Sequence, residues 1–143
     1  MTHGEDIQRL IIAANALTRM AALQADTETP AAQWRTLKLL RDHGPLRVGE
    51  LATLSRVSQP GMTRLVGQMT ASGLLERSAD AEDSRARVLS PTPAGESALD
   101  AWLEQLQTAL LPFFADLDEA EWDAVRRTAE LLARKTDAVA ALR

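Results

Sequence analysis

Between Ser58 and Met69 the chain reads SQPGMTRLVGQM, and its polar residues recur at a spacing with chemical meaning. If Met62, Leu65, Val66 and Met69 turn inward on a helix, a step of about 100° per residue leaves Gln59, Thr63, Arg64, Gly67 and Gln68 facing away. Arginine donates as a fork to two acceptors on one base edge. Glutamine both donates and accepts, and threonine offers a hydroxyl and a methyl. Such a set matches the edges of stacked bases in the wide groove of a duplex. Ser58 is placed to cap this helix, and Pro60 falls where a missing N–H has no helical partner. Gly61 and Gly67 leave room for a surface that comes close. Further on, Asp83, Arg85 and Arg87 alternate, so that in a strand they share one face. Arg85, nearer the turn, is suited to entering a narrow minor groove, and Arg87 to meeting a phosphate. Asp83 is then the acid that holds Arg85 or the loop in shape.

These residues need elements to carry them. Ile7, Leu10, Ile11, Ala14, Leu17 and Ala21 predict a first helix from about Glu5 to Gln24. Thr29-Pro30 predicts the start of a second, carrying Trp34, Leu37 and Leu40 and stopped by His43-Gly44-Pro45. A short helix over Val48–Leu54, a turn at Ser55–Val57 and the polar-faced helix follow. Leu74–Arg77 and Arg85–Ser90 read as two strands of a hairpin around a polar turn. Thr92-Pro93 opens a long helix with Leu99, Trp102, Leu103, Leu106, Leu110 and Phe113. Asp118 and Glu121, at capping-box spacing, open a last helix with Trp122, Val125, Ala129, Leu132 and Val139. The expected fold is mainly α with a small β-hairpin wing: a winged helix-turn-helix with helices at both ends. Residues 29–95 would form the DNA-binding lobe. Residues 1–28 and 96–143 would form a helical dimerisation region, because they hold more apolar helix than the small lobe can cover.

Charge needs a local reading. The 143 residues carry a net charge of −4, which argues against a nucleic-acid partner. The segment from His43 to Pro91, however, carries six arginines against five acids and no lysine, so the acidity lies in the two ends. Arginine is the residue suited to forked contacts with phosphates and bases.

The stretch TRLVGQMTASGLLERS, followed by DAEDSRARVLSPTPAG, resembles the MarR (multiple antibiotic resistance regulator) family of bacterial transcription factors. The resemblance is carried by Thr63-Arg64, by Gly73-Leu74 with Arg77, by Asp83-x-Arg85, and by the turn from Thr92 to Gly95. It extends over nearly the whole chain in helix order. Two departures touch the wing: Ser84 stands where many members have a second arginine, and Leu89-Ser90-Pro91 interrupts the usual strand. The resemblance implies a triangular homodimer held by its terminal helices and binding a palindromic double-stranded operator. It also implies a small-molecule effector, phenolic or carboxylate, in a pocket between those helices and the DNA lobe, with Trp34 as a candidate wall.

Other chemistry finds little support. There is no cysteine, which excludes disulfides and thiol-based sensing. His3 and His43 have no ligand partners nearby, so no metal site is expected. No triad spacing or phosphate loop suggests an enzyme, and no cofactor is expected. No apolar run approaches the roughly 20 residues of a membrane span. The N-terminus does not read as a signal peptide, so the expected compartment is the cytoplasm. The alternative reading is a winged-helix protein-interaction module without DNA binding. The acidity favours it, and Arg64, Arg85 and Arg87 oppose it.

Overall fold

The computed structural model describes residues 1–24 and 31–140, with side chains through Asp137. Its elements are α1 (His3–Gln24), α2 (Ala31–His43), α3 (Val48–Ser55), α4 (Gln59–Ala71), β1 (Leu75–Ala79), β2 (Arg87–Pro91), α5 (Pro93–Leu110) and α6 (Glu119–Ala140). A 3-10 turn, Leu111–Phe114, separates the last two. The expected helix start at Thr29-Pro30, the side chain of Val139 and the lobe boundary at 28/29 lie outside the described residues.

Capping explains most boundaries. Thr2 and Glu5 bond each other's backbone N–H groups, which starts α1 two residues before the apolar pattern does. Asp118 and Glu121 close the same reciprocal box on α6, at 2.9 and 2.8 Å. Gly44, at φ 78°, takes the left-handed exit from α2. The 3-10 turn removes Phe113 from the long helix, because Pro112 cannot supply an N–H to continue the ladder.

The core gathers one stripe from each element of the central lobe. Leu37 and Leu40 of α2, Leu51 of α3, Met62, Val66 and Met69 of α4, Leu75, Leu89 and Leu99 are buried together. α3 packs on α4 as a helix-turn-helix. The hairpin is antiparallel, with Arg77 opposite Leu89. Leu46 adds a third short rung to it, exchanging backbone hydrogen bonds with Leu89 at 2.8 and 3.3 Å.

The wing root meets α5 at a corner with no spare volume. The Thr92 hydroxyl caps α5 through the N–H of Gly95 and donates to the carbonyl of Gly73. The Thr92 N–H donates to the carbonyl of Leu74 at 3.1 Å. A Cβ at Gly95 would lie 2.1 Å from that same carbonyl oxygen. Nearby, Arg41 of α2 forks onto Glu96 and reaches Asp100, tying α2 to the first turns of α5.

The two ends differ from the lobe. Ile7, Ile11 and Ile12 of α1 and Val125, Leu131 and Leu132 of α6 are all exposed. Among the described residues no helix is long and apolar enough to cross a membrane.

The corner yields a stability test. Gly95→Ala forces a methyl into a backbone carbonyl that cannot move without shifting the hairpin, so it should cost about 3 kcal/mol or more. Chemical denaturation, compared with the control Gly67→Ala, where an added Cβ meets nothing within 4 Å, measures it. Equal midpoints for the two variants would show that the corner yields easily.

Candidate nucleic-acid interface

The face of α4 forms as its sequence pattern predicts. Met62, Val66 and Met69 are buried and Leu65 half-buried, while Gln59, Thr63, Arg64 and Gln68 are exposed. The helix begins after a three-residue connection. Arg56 adopts φ 54°, a left-handed conformation, and the N–H of Val57 donates to Ala52 at 3.0 Å. Ser58 then caps α4, its Oγ accepting from the N–H of Gly61 at 3.2 Å. That leaves the hydroxyl proton of Ser58 free to donate to an outside acceptor.

The glycines divide. A Cβ at Gly61 would lie 3.0 Å from Ser58 Oγ and 3.2 Å from Val57 Cγ1. Gly61 therefore protects its own helix cap, a reason inside the chain. A Cβ at Gly67 would meet nothing within 4 Å, so the space over it is open. Gln59 bends back toward α3, with Oε1 3.9 Å from where a Cβ on Gly49 would sit.

The wing corrects one expectation. Its strands run Leu75–Ala79 and Arg87–Pro91, so residues 80–86 form a loop. Asp83 and Arg85 lie in that loop and do not share a strand face with Arg87. Two aspartates build the loop by binding backbone. Asp83 Oδ1 accepts from the N–H of Arg85 at 3.0 Å, and the Asp83 carbonyl accepts from Ala86 at 3.0 Å. Asp83 thus binds the main chain of Arg85, and among the described residues it makes no pair with the Arg85 guanidinium. Arg85 and Arg87 are exposed. Among the described residues no acid pairs with Arg64, Arg85 or Arg87.

Arg47 and Asp80 were not legible as functional residues. Arg47, just before α3, reaches Asp80 Oδ2 with Nε at 2.8 Å and its terminal nitrogen at 2.7 Å. Asp80 Oδ1 accepts from the N–H of Glu82 at 3.0 Å. That N–H, and then Arg47, hold the Asp80 carboxyl below the usual range. The pair spans 33 positions, and no local pattern encodes such a distance.

Trp34 stands apart from these residues. Its ring stacks on Trp102 of α5 with centroids 3.8 Å apart and planes 16° from parallel. It also lines a cavity of about 450 Å³ between α2, α3 and α4. Leu54, Val57, Met62 and Leu65 make its apolar walls, with Arg35 and Lys38 on the same lining. Among the described residues no cluster of three or more His, Asp or Glu side chains could hold a metal.

The MarR-family profile matches residues 29–86, which take in α2, α3, α4, β1 and the wing loop. A helix-turn-helix-type transcriptional regulator of Mycobacterium bovis is 29% identical over 105 residues, 73% of this chain and 73% of that protein. A MarR family protein of Bacillus stearothermophilus shares the fold with a TM-score of 0.72 at 22% identity, covering 95% of this chain and 99% of that one. BpsR of Bordetella bronchiseptica, whose DNA binding is regulated by 6-hydroxynicotinic acid, aligns with a TM-score of 0.57 at 21% identity, covering 92% and 93%. The matched segment carries Gln59, Arg64, Gln68 and Arg85, with Arg87 just beyond it, and the fold agrees over the remainder: residues 29–86 match the MarR family, and the chain as a whole has the winged helix-turn-helix fold of a solved MarR family protein.

Proposed function

We propose that the protein is a cytoplasmic repressor that binds a palindromic operator as a homodimer and releases it on binding a small aromatic acid. One observation carries the DNA reading. α4 presents Gln59, Thr63, Arg64 and Gln68 to solvent from a backbone fixed by three fully buried side chains, Met62, Val66 and Met69. Arg64 reads a base as a fork, the glutamines read adenine edges, and Ser58 and Thr63 meet phosphates near the helix start. Arg85 enters the flanking minor groove and Arg87 meets a phosphate. The net charge does not oppose this, since charges beyond about 8–10 Å are largely screened at physiological salt.

Residues 29–95 act as the reading lobe, and the helices on either side, 1–28 and 96–143, as the dimer region. The exposed apolar residues of α1 and α6 support this, because a lone chain has nothing to cover them. A two-fold dimer sets two copies of α4 toward successive turns of one duplex. For the effector, the support is a cavity with apolar walls and Arg35 on its lining, beside Lys38 paired with Asp42, which suits a flat ring bearing a carboxylate. The regulation of BpsR by a hydroxylated aromatic acid agrees with that chemistry.

Arg64 lies opposite the buried stripe, so Arg64→Ala should leave the unfolding midpoint unchanged. It should weaken binding to a duplex selected from random DNA by about 1–3 kcal/mol and relax preference at one position per half-site. Unchanged selection by the variant would mean that α4 does not read the groove.

For assembly, sedimentation at micromolar concentration should give a dimer, and the paired change Val125→Glu with Leu132→Glu should shift it to monomer. A wild-type monomer would overturn the interface.

For the effector, benzoate titrated into the protein–DNA complex should change tryptophan emission and release DNA over one concentration range. Trp34→Phe should remove most of the emission change. Release with no optical change in the wild-type protein would place the ligand away from this cavity.

A further inference from the structure

The wing loop is shaped from within and aimed from outside. Inside it, the N–H of Asp80 donates to the carbonyl of Ala86 at 3.1 Å, and Asp83 and Asp80 bind the N–H groups of Arg85 and Glu82. These bonds fix the curve of the loop. They do not fix its direction relative to α4, because a two-stranded ribbon has little stiffness of its own. Direction must come from contacts with the helical body.

Leu75 and Leu89 seat the root of the ribbon in the core, and among the described residues one side-chain pair ties the loop itself to the helical body. Arg47 places two guanidinium nitrogens on Asp80 Oδ2, at 2.8 and 2.7 Å. The other oxygen of the same carboxylate already holds the loop backbone at Glu82. Asp80 is therefore a two-sided joint, with one oxygen on the loop and one on the helix-turn-helix. Arg47 is itself held, since its N–H donates to Glu50 Oε1 at 3.0 Å and its carbonyl accepts from Leu51 at 3.0 Å. Its neighbour Leu46 is paired with Leu89 of β2 in both directions. The strip Leu46-Arg47 thus grips the ribbon at its backbone and at its loop. α3 follows directly and packs on α4, so the pose of the wing is registered to the reading helix.

We propose that Arg47 and Asp80 form the positioning pair of the wing. They fix the direction in which Arg85 is presented relative to α4, and so set the preference for base pairs flanking each half-site, without themselves contacting DNA. This rests on the reading of the chain as a duplex-DNA binder. An exposed ion pair adds little to global stability, so the role shows in specificity and leaves the unfolding midpoint in place.

The test uses the full chain and a duplex that the wild-type protein selects from random DNA, made with A·T-rich or with G·C-rich flanks. The wild-type protein should favour the A·T-rich version. Asp80→Asn keeps an acceptor for the Glu82 N–H and removes the charge that Arg47 grips. It should bring the two affinities within about twofold by losing the narrow-groove contact, with the G·C-flanked affinity and the unfolding midpoint near wild type. Arg47→Ala should do the same, and the double variant should do no more, as expected for two residues acting as one unit. If Arg47→Ala weakens both duplexes equally and lowers the salt slope while Asp80→Asn changes neither, Arg47 is a phosphate contact and the proposal fails. It also fails if both variants keep the wild-type flank preference, or if the wild-type protein has none. A wild-type protein that selects no sequence would instead overturn the DNA reading itself, and this inference with it.

Discussion

A missing side chain holds the architecture together. The carbonyl of Leu74 accepts from Thr92, and the first turn of α5 passes so close that any Cβ at position 95 would overlap it. Three elements meet there: the end of α4, the root of the hairpin and the start of α5. Because the contact is backbone to backbone, it leaves little angular freedom. The end of α4, the root of the wing and α5 are set relative to one another at one point. The Arg41 fork onto Glu96, one residue further along, locks α2 to the same corner. That pair is partly exposed and contributes modestly on its own. Its value is geometric, since it orients an end that the Leu74 contact has already placed.

From that corner outward the chain separates stability from recognition. Every buried side chain on α4 is apolar, and its exposed Gln59, Thr63, Arg64 and Gln68 have no acidic partner among the described residues. An arginine kept free of carboxylates is desolvated more cheaply by a phosphate or a base than one that must first break an ion pair. By contrast, Arg41 and Arg47, which position backbone, are both paired. Arg64, Arg85 and Arg87 have no such pair among the described residues.

Periodicity made the helices legible, because buried positions such as Met62, Val66 and Met69 repeat at the helical period within one segment. Caps were legible for the same reason: Ser58, Thr92 and Asp118 act on groups three residues away. What depended on distant partners was not legible. The loop moved the start of β2 from Arg85 to Arg87, because the Asp83 side chain took the N–H of Arg85, while β1 runs two residues further than expected, to Ala79. The Arg47–Asp80 pair, the Leu46–Leu89 rung and the stacking of Trp34 on Trp102 all join residues far apart in sequence. Gly61 carried a mixed signal. In the sequence it reads as room for an approaching surface, yet the nearest atoms that exclude a side chain there belong to its own cap.

The placement of the cavity bears on how little a ligand must do. Its walls include Val57 in the helix-turn-helix connection and Met62 in the first turns of α4, while Trp34 on its edge stacks against α5. A molecule seated there touches α4 directly and is linked to α5 through Trp34. Turning a two-state protein from 1:99 to 99:1 takes a preference of about 10⁴, or roughly 5.5 kcal/mol, for one state over the other. In a concerted dimer with two equivalent cavities, each site needs only about 10², roughly 2.7 kcal/mol. At about 25 cal/mol per Å² that is roughly 110 Å² of apolar contact made in one state and absent in the other. A single aromatic ring can bury that much, and a cavity of about 450 Å³ holds one. A small ligand is therefore sufficient, provided the difference between the states lies in the walls it touches, and here those walls are the ones that position α4.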